Sequence, residues 1–199
     1  MNAFLTGVNF LVAFTATGNS LECVHCSSND GTDCSGEATT CTDDLTRCWT
    51  ITTELMQVSD SFHRVFKFCG REKEPTTIYR EESSTTFFQV ESHYCETDNC
   101  NQKLGEITPR DNTPNGVKCK HCFEDHSSDC ETEETRECTG DMNKCLFMSG
   151  LLCYNGKDYY DCTHRICTNI ASPEQHPFYN DFVSGDIKKL EVTEGISDA

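Results

Sequence analysis

"ECVHC", residues 22–26, admits three readings: half of a zinc site, a redox-active dithiol, or the first step of a disulfide framework. The same kind of stretch returns as "KCKHC" at 118–122, so the right reading has to hold twice. A zinc knuckle needs a second ligand pair at one close site in a reducing compartment. A thioredoxin-like dithiol needs a surrounding βαβ pattern, and neither stretch has one. The compartment therefore decides.

The first twenty residues, "MNAFLTGVNFLVAFTATGNS", carry no charged side chain and an apolar run from Phe10 to Phe14. That run is too short to span a bilayer. Small residues then offer cleavage after Gly18 or Ser20, which fits a secretory signal peptide over 1–20 without the usual basic start. A secreted chain matures where thiols oxidise, so its 16 cysteines in 199 residues read as paired. The C-terminal "DIKKLEVTEGISDA" is polar and offers no lipid-anchor signal, so no membrane anchor is expected. A net charge of -17 argues against nucleic acid as partner and favours a basic one.

Written as spacings, cysteines 23, 26, 34, 41 and 48 run C-x2-C-x7-C-x6-C-x6-C, and 119, 122, 130, 138 and 145 run C-x2-C-x7-C-x7-C-x6-C. The chain is an internal duplication. The expected division is a first domain at 21–105, a linker at 106–116 with Pro109, Pro114 and Gly116, and a second domain at 117–170. Residues 171–199 are expected to be an incomplete third finger or a mobile tail, because no cysteine follows Cys167. The first thirty residues of each copy are too polar to bury a core unaided, so crosslinks must supply the difference. The fold class is small, disulfide-rich and all-β. "CWTITTELM" alternates Trp49, Ile51, Thr53 and Leu55 on one face, and "TTFFQVESHYC" sets Phe88, Val90 and Tyr94 opposite Gln89, Glu91 and His93. Trp49, Phe62, Phe66 and Phe68 are expected in the core.

With C-x2-C near the mature start, two six-residue spacings and a closing "CETDNCN", residues 21–101 resemble the three-finger domain of the lymphocyte-antigen-six/urokinase-receptor family. The second copy, with "CTGDMNKC" at 138–145, resembles the second domain of the gamma-type phospholipase A2 inhibitors. The resemblance implies two tandem three-finger domains, the second incomplete at its C-terminus. It also implies a pairing: Cys23 with Cys48, Cys26 with Cys34, Cys41 with Cys69, Cys95 with Cys100, Cys119 with Cys145, Cys122 with Cys130, and Cys138 with Cys162. On this reading the histidines inside both C-x2-C stretches are bystanders.

Cys153 and Cys167 are the uncertain pair. Asn155-Gly156 signals a two-residue hairpin, which sets Tyr154 opposite Lys157 and Cys162 opposite Ser149. Cys153 then lies four rungs from Cys162, about 13 Å, beyond the reach of a disulfide. Both cysteines are expected to lack an intradomain partner, either free or linking two chains into a homo-oligomer. The other arrangement joins Cys162 to Cys167 and Cys138 to Cys153.

No spacing carries a catalytic mechanism: there is no G-x-S-x-G elbow, no H-E-x-x-H, no Gly-rich phosphate loop and no calcium loop. No catalytic residue, cofactor or metal is expected. The acidic run from Glu124 to Asp141 reads as a solvated first finger. Leu55, Met56 and Val58, near the second fingertip, are the candidate partner contacts. The resemblance implies a secreted, non-enzymatic protein that sequesters a secreted phospholipase A2, a basic one by charge. The alternative is a soluble ligand or modulator of a cell-surface receptor.

Overall fold

The computed structural model describes residues 20–42, 44–71, 77–103, 107–154, 157–177, 179 and 186–197. The expected signal peptide and the Asn155-Gly156 turn lie outside these residues. Among the described residues nearly all the regular structure is β-strand, with two single-turn 3-10 segments at Cys100–Gln102 and Pro173–Gln175.

In the first domain, β1 (Glu22–Val24), β2 (Cys26–Ser28) and β3 (Ala38–Thr40) form the first finger. β4 (Arg47–Gln57) and β5 (Ser61–Gly70) form the second, and β6 (Thr77–Glu82) and β7 (Thr86–Cys95) the third. Chain order does not give sheet order. β7 returns to pair with β4 from Cys48↔Cys95 to Gln57↔Thr86, so β4 is central. Four disulfides root the fingers: Cys23–Cys48, Cys26–Cys34, Cys41–Cys69 and Cys95–Cys100. The Asn after the last cysteine closes the domain. Asn101 is buried, accepts from Val24 N (2.9 Å), and donates to Val24 O (3.0 Å) and Trp49 O (3.2 Å). One side chain thus ties the first and second fingers to the C-terminal staple.

The second domain repeats the plan. β8 (Pro114–Lys120), β9 (Cys122–Asp125) and β10 (Thr135–Thr139) form its first finger, and β11 (Lys144–Tyr154) with β12 (Tyr159–Thr168) its second. β13 (Ile187–Glu194) pairs with β11, the place that β7 takes beside β4, and β14 (Ile196–Ser197) pairs with β8. The described residues from 187 to 197 are therefore built into sheets, which corrects the expectation of a mobile tail for that part. Ile187, Leu190 and Val192 supply the reason, packing with Leu146, Met148 and Ile166 in one cluster.

The disulfides of this copy are Cys119–Cys145, Cys122–Cys130, Cys138–Cys167 and Cys153–Cys162, and no cysteine is free. Three expectations are corrected here. Cys138 joins Cys167 rather than Cys162, Cys153 and Cys167 both have intradomain partners, and the arrangement Cys162–Cys167 with Cys138–Cys153 is not formed. Register explains the first: Cys167 stands directly opposite Cys145 at the finger root, as Cys69 stands opposite Cys48. A register shift in the second finger explains the second. Tyr154 faces Tyr159, not Lys157, and the register shifts between Leu151 and Cys153. Cys162 then faces Gly150, and Cys153 faces Tyr160, two residues from Cys162, with a Cα–Cα distance of 5.9 Å. That lies within disulfide range.

The two domains share one sheet. β12 pairs with β6 through Cys167↔Glu82 and Thr168↔Glu81, giving the strand order β13-β11-β12-β6-β7-β4-β5-β2 with β9 alongside β12. Phe87 of β7, 1% exposed, packs into the second domain's root cluster with Cys119, Cys138, Met142 and Cys167. The interface thus extends both the sheet and the core.

Candidate binding site

Residues directly opposite across strands point to the same face, so the registers divide the first domain's sheet into two faces. One carries Thr50, Thr52, Glu54, His63, Val65, Lys67, Gln89 and Glu91. Most of this polar set is buried: Gln89 is 0%, Glu91 1% and Lys67 2% exposed. The other face carries Ile51, Leu55, Phe62, Phe66, Phe68, Phe88, Val90 and Tyr94. Phe66 and Tyr94 are exposed, and the others are half-buried. This reverses the expectation that Phe62, Phe66 and Phe68 fill the core. Trp49 on that face is fully enclosed, its indole seated on Gly70, and so is Tyr79, which stands opposite Val90.

Covering by the linker and the second domain explains why the polar face is inside. Arg80 Nη1 reaches Asp141 at 2.7 Å, its Nη2 reaches Glu91 at 3.2 Å, and its Nε donates to Gln89 at 3.1 Å. Thr108 closes the network from the linker: its N donates to Glu91 (3.0 Å), and its O accepts from Gln89 Nε2 (3.1 Å). Glu82, also buried, is held by Arg110 (2.7 Å), Arg136 (3.1 Å) and the Thr139 hydroxyl (2.8 Å). Buried charges persist only when paired and hydrogen-bonded, and here both domains and the linker supply the pairs. Lys67 is satisfied within its own domain by Asp33 (2.7 Å) and the carbonyls of Cys34 and Gln102.

The apolar face stays uncovered on the first domain. Arg64 lies 4.7 Å over the Phe62 ring and Arg47 3.8 Å over the Tyr94 ring, so two guanidinium groups edge it. Of the expected contact residues, Leu55 stands on this face between Phe62 and Phe88 and is half-buried. Met56 points to the opposite face at 36% exposure, and Val58, 85% exposed, sits in the fingertip turn. The structure therefore brings Leu55 together with the phenylalanines and separates Met56 from it. A contiguous exposed apolar surface on a small protein marks an interaction site more often than scattered exposed residues do.

Where the two domains meet, this face turns into a cleft of about 500 Å³ lined by Glu81, Met148, Leu151, Leu152, Tyr159, His164, Asp186 and Ile187. The Tyr79 hydroxyl donates to the Glu81 carboxylate. Burial pushes Glu81 up to about 7 and Tyr79 well above its ordinary value, Glu81's charge adding to the latter. Burial lowers His164 and His176 to about 4, His164 adding to the effect on His176, so both imidazoles are neutral at pH 7. Tyr79 packs edge-on against His176, centroids 4.8 Å apart.

Two sulfur clusters, Cys23/Cys41/Cys69 and Cys119/Cys138/Cys167, have the compactness of a metal site. Every one of these sulfurs is in a disulfide, so none offers the thiolate that a metal takes. They are the cysteine roots of the two sets of fingers. The u-PAR/Ly-6 domain matches this chain twice, over residues 19–103 and 115–193.

The chain belongs to the u-PAR/Ly-6 domain family.

Both matches coincide with a set of three fingers, and the second runs through most of β13. Among curated proteins this u-PAR/Ly-6 chain is 27% identical over 155 residues to a phospholipase A2 inhibitor of the gamma type from Laticauda semifasciata, covering 74% of this chain and 84% of the relative. A protein of the same name from Gloydius brevicaudus siniticus is 29% identical over 143 residues, covering 70% of each. Among solved structures, mouse TEX101 aligns at 15% identity with a TM-score of 0.37, over 89% of this chain and 99% of that one. Among the described residues, no helix is long and apolar enough to cross a membrane.

Proposed function

We propose that this protein is a secreted, non-enzymatic binding protein that holds a secreted phospholipase A2 through the uncovered apolar face of its first domain. The observation that carries the reading is the inversion of that sheet: its polar face is taken up by the domain interface, while Leu55, Phe62, Phe66 and Phe88 are left towards solvent. Relatives named as phospholipase A2 inhibitors at 27% and 29% identity supply the target class. An enzyme that works at a lipid–water interface presents an apolar surface of its own, and this face is suited to cover it. The charge of -17 favours encounter with a basic enzyme.

The test is hydrolysis of micellar substrate by a panel of basic and acidic secreted phospholipases, with and without the purified protein. Slowing of a basic member by the native chain, and its loss in Phe66→Asp or Leu55→Asp with strand circular dichroism intact, supports the reading. If no enzyme is slowed at micromolar protein, or if both variants inhibit as well as the native chain, the assignment fails.

A further inference from the structure

The domain-junction cleft has the character of a small-molecule site. Its volume, about 500 Å³, falls within the roughly 300–1,000 Å³ of ligand cavities. Among the described lining residues, Met148, Leu151, Leu152 and Ile187 form the apolar walls, and polar groups stand at Glu81, Tyr159, His164 and Asp186. Those groups have one sign: both charged residues are acidic, and no Lys or Arg is among the described residues of the lining. Among the described residues, nothing makes a hydrogen bond to the buried His164 Nε2. A buried orphan of this kind points to a partner that the protein itself does not supply.

We propose that this cleft binds a lipophilic amine, with its apolar chain against Met148, Leu151, Leu152 and Ile187 and its ammonium head facing Glu81 and Asp186. An anionic head meets no cation among the described lining residues, since the imidazole of His164 is neutral and the other ionisable side chains that close the head end are acidic. A neutral alcohol can bond to His164 but leaves Glu81 with nothing to hold it ionised. No Lys or Arg is among the described residues of the lining, and burial pushes that carboxyl up to about 7. An ammonium keeps it charged, and a third N–H can be accepted by His164 Nε2 in the tautomer protonated at Nδ1. The cleft is anchored by backbone, since Leu151 N donates to Asp186 O at 2.9 Å, which fixes the second acidic residue against β11.

The experiment is calorimetric titration of the full chain at neutral pH with octylamine, octanol and octanoate below their aggregation limits, and with ethylamine as a head without a chain. Octylamine should bind about tenfold tighter than octanol, with octanoate and ethylamine too weak to measure. Glu81→Gln keeps an acceptor for the Tyr79 hydroxyl, and Asp186→Asn alters an exposed residue, so the second variant serves if the first fails to fold. Each should bring octylamine towards the affinity of octanol while octanol binding stays unchanged. Binding of octanoate as tight as octylamine, ethylamine matching octylamine, no binding at all, or an amine preference untouched by the variants would each overturn the proposal. None of these outcomes bears on phospholipase inhibition, which is read on the first domain's face.

Discussion

Arg80 of β6 and Asp141 of the second domain stand 2.7 Å apart, Nη1 to Oδ2, while the other side of the same guanidinium holds the buried Glu91. The two ends of Arg80 are not equivalent. Asp141 is 54% exposed, so that arm is worth little more than a surface ion pair, whereas Glu91 is 1% exposed and has no other permanent cation among the described residues. Arg80→Met should cost about 3–5 kcal/mol by stranding Glu91, against less than about 1 kcal/mol for Asp141→Asn. Urea unfolding of the two variants checks the ratio, and equal losses would place the energy in the exposed arm.

Cys153–Cys162 closes a span of nine residues near a fingertip, whereas Cys41–Cys69 and Cys138–Cys167 close spans of 28 and 29 at the roots. Replacing both Cys153 and Cys162 with Ser should cost about 2–3 kcal/mol and leave the root cluster of Phe87, Met142 and Cys167 assembled. A non-reducing peptide map of the native protein should contain Cys138–Cys167 and Cys153–Cys162 and titrate no free thiol. A Cys138–Cys162 peptide, or a dimer through Cys153, would contradict the register.

Gly150 and Gly70 are close-approach positions for different reasons. Gly150 has φ of +146°, and a Cβ there would collide with Asp186 O and Ile187 Cα, where β13 slips its register against β11. A Cβ on Gly70 would enter the Trp49 ring. Each Gly→Ala should destabilise by about 1–3 kcal/mol. The signatures should differ: Gly70→Ala should disturb tryptophan fluorescence, and Gly150→Ala should increase amide exchange along Ile187–Glu194.

Three burial-shifted groups around the cleft give the stability a calculable pH profile. Glu81, raised to about 7, binds a proton in the folded chain that the unfolded chain has released, so its contribution falls as pH rises towards 7. His164 and His176, lowered to about 4, do the reverse: the unfolded chain binds protons that the folded chain refuses, and stability is lost as pH falls from about 6.5 to 4. Two histidines outweigh one carboxyl. Stability should therefore rise with a slope of about one proton between pH 4.5 and 6.5, then decline gently towards 7. Glu81→Gln should remove the decline and steepen the acid limb, and His164→Gln should flatten that limb. Denaturant midpoints across this range are the readout, and a slope of opposite sign would refute the burial of the histidines.

The cysteine spacings carried the fold because a disulfide framework is written locally: C-x2-C and the six- and seven-residue gaps recur as intervals in one dimension. Even the mistaken pair had a legible signal. Cys69 follows Cys48 by 21 residues and Cys167 follows Cys145 by 22, whereas Cys162 follows by 17, so the duplication itself pointed to Cys167 as the root cysteine. The pairing that the resemblance implies put Cys162 at the root instead, and the hairpin rule at Asn155-Gly156 kept Cys153 away from Cys162, whereas a register shift between Leu151 and Cys153 brings those two within reach.

What the sequence determined by itself is the duplicated, crosslinked, all-β framework, together with the alternation that sorts Phe88 and Val90 from Gln89 and Glu91. Alternation fixes which residues share a face, but not which face is covered. Only the tertiary structure decided that, because covering depends on contacts between residues far apart in the chain: Arg80 with Asp141, Thr108 with Glu91, and Glu82 with Arg136. By pairing β12 with β6, the second domain buries the polar side and leaves the phenylalanines outside. The surface that reads as core in sequence is thus the one that the assembled protein leaves towards solvent, since buried charge is tolerated wherever two domains meet to neutralise it.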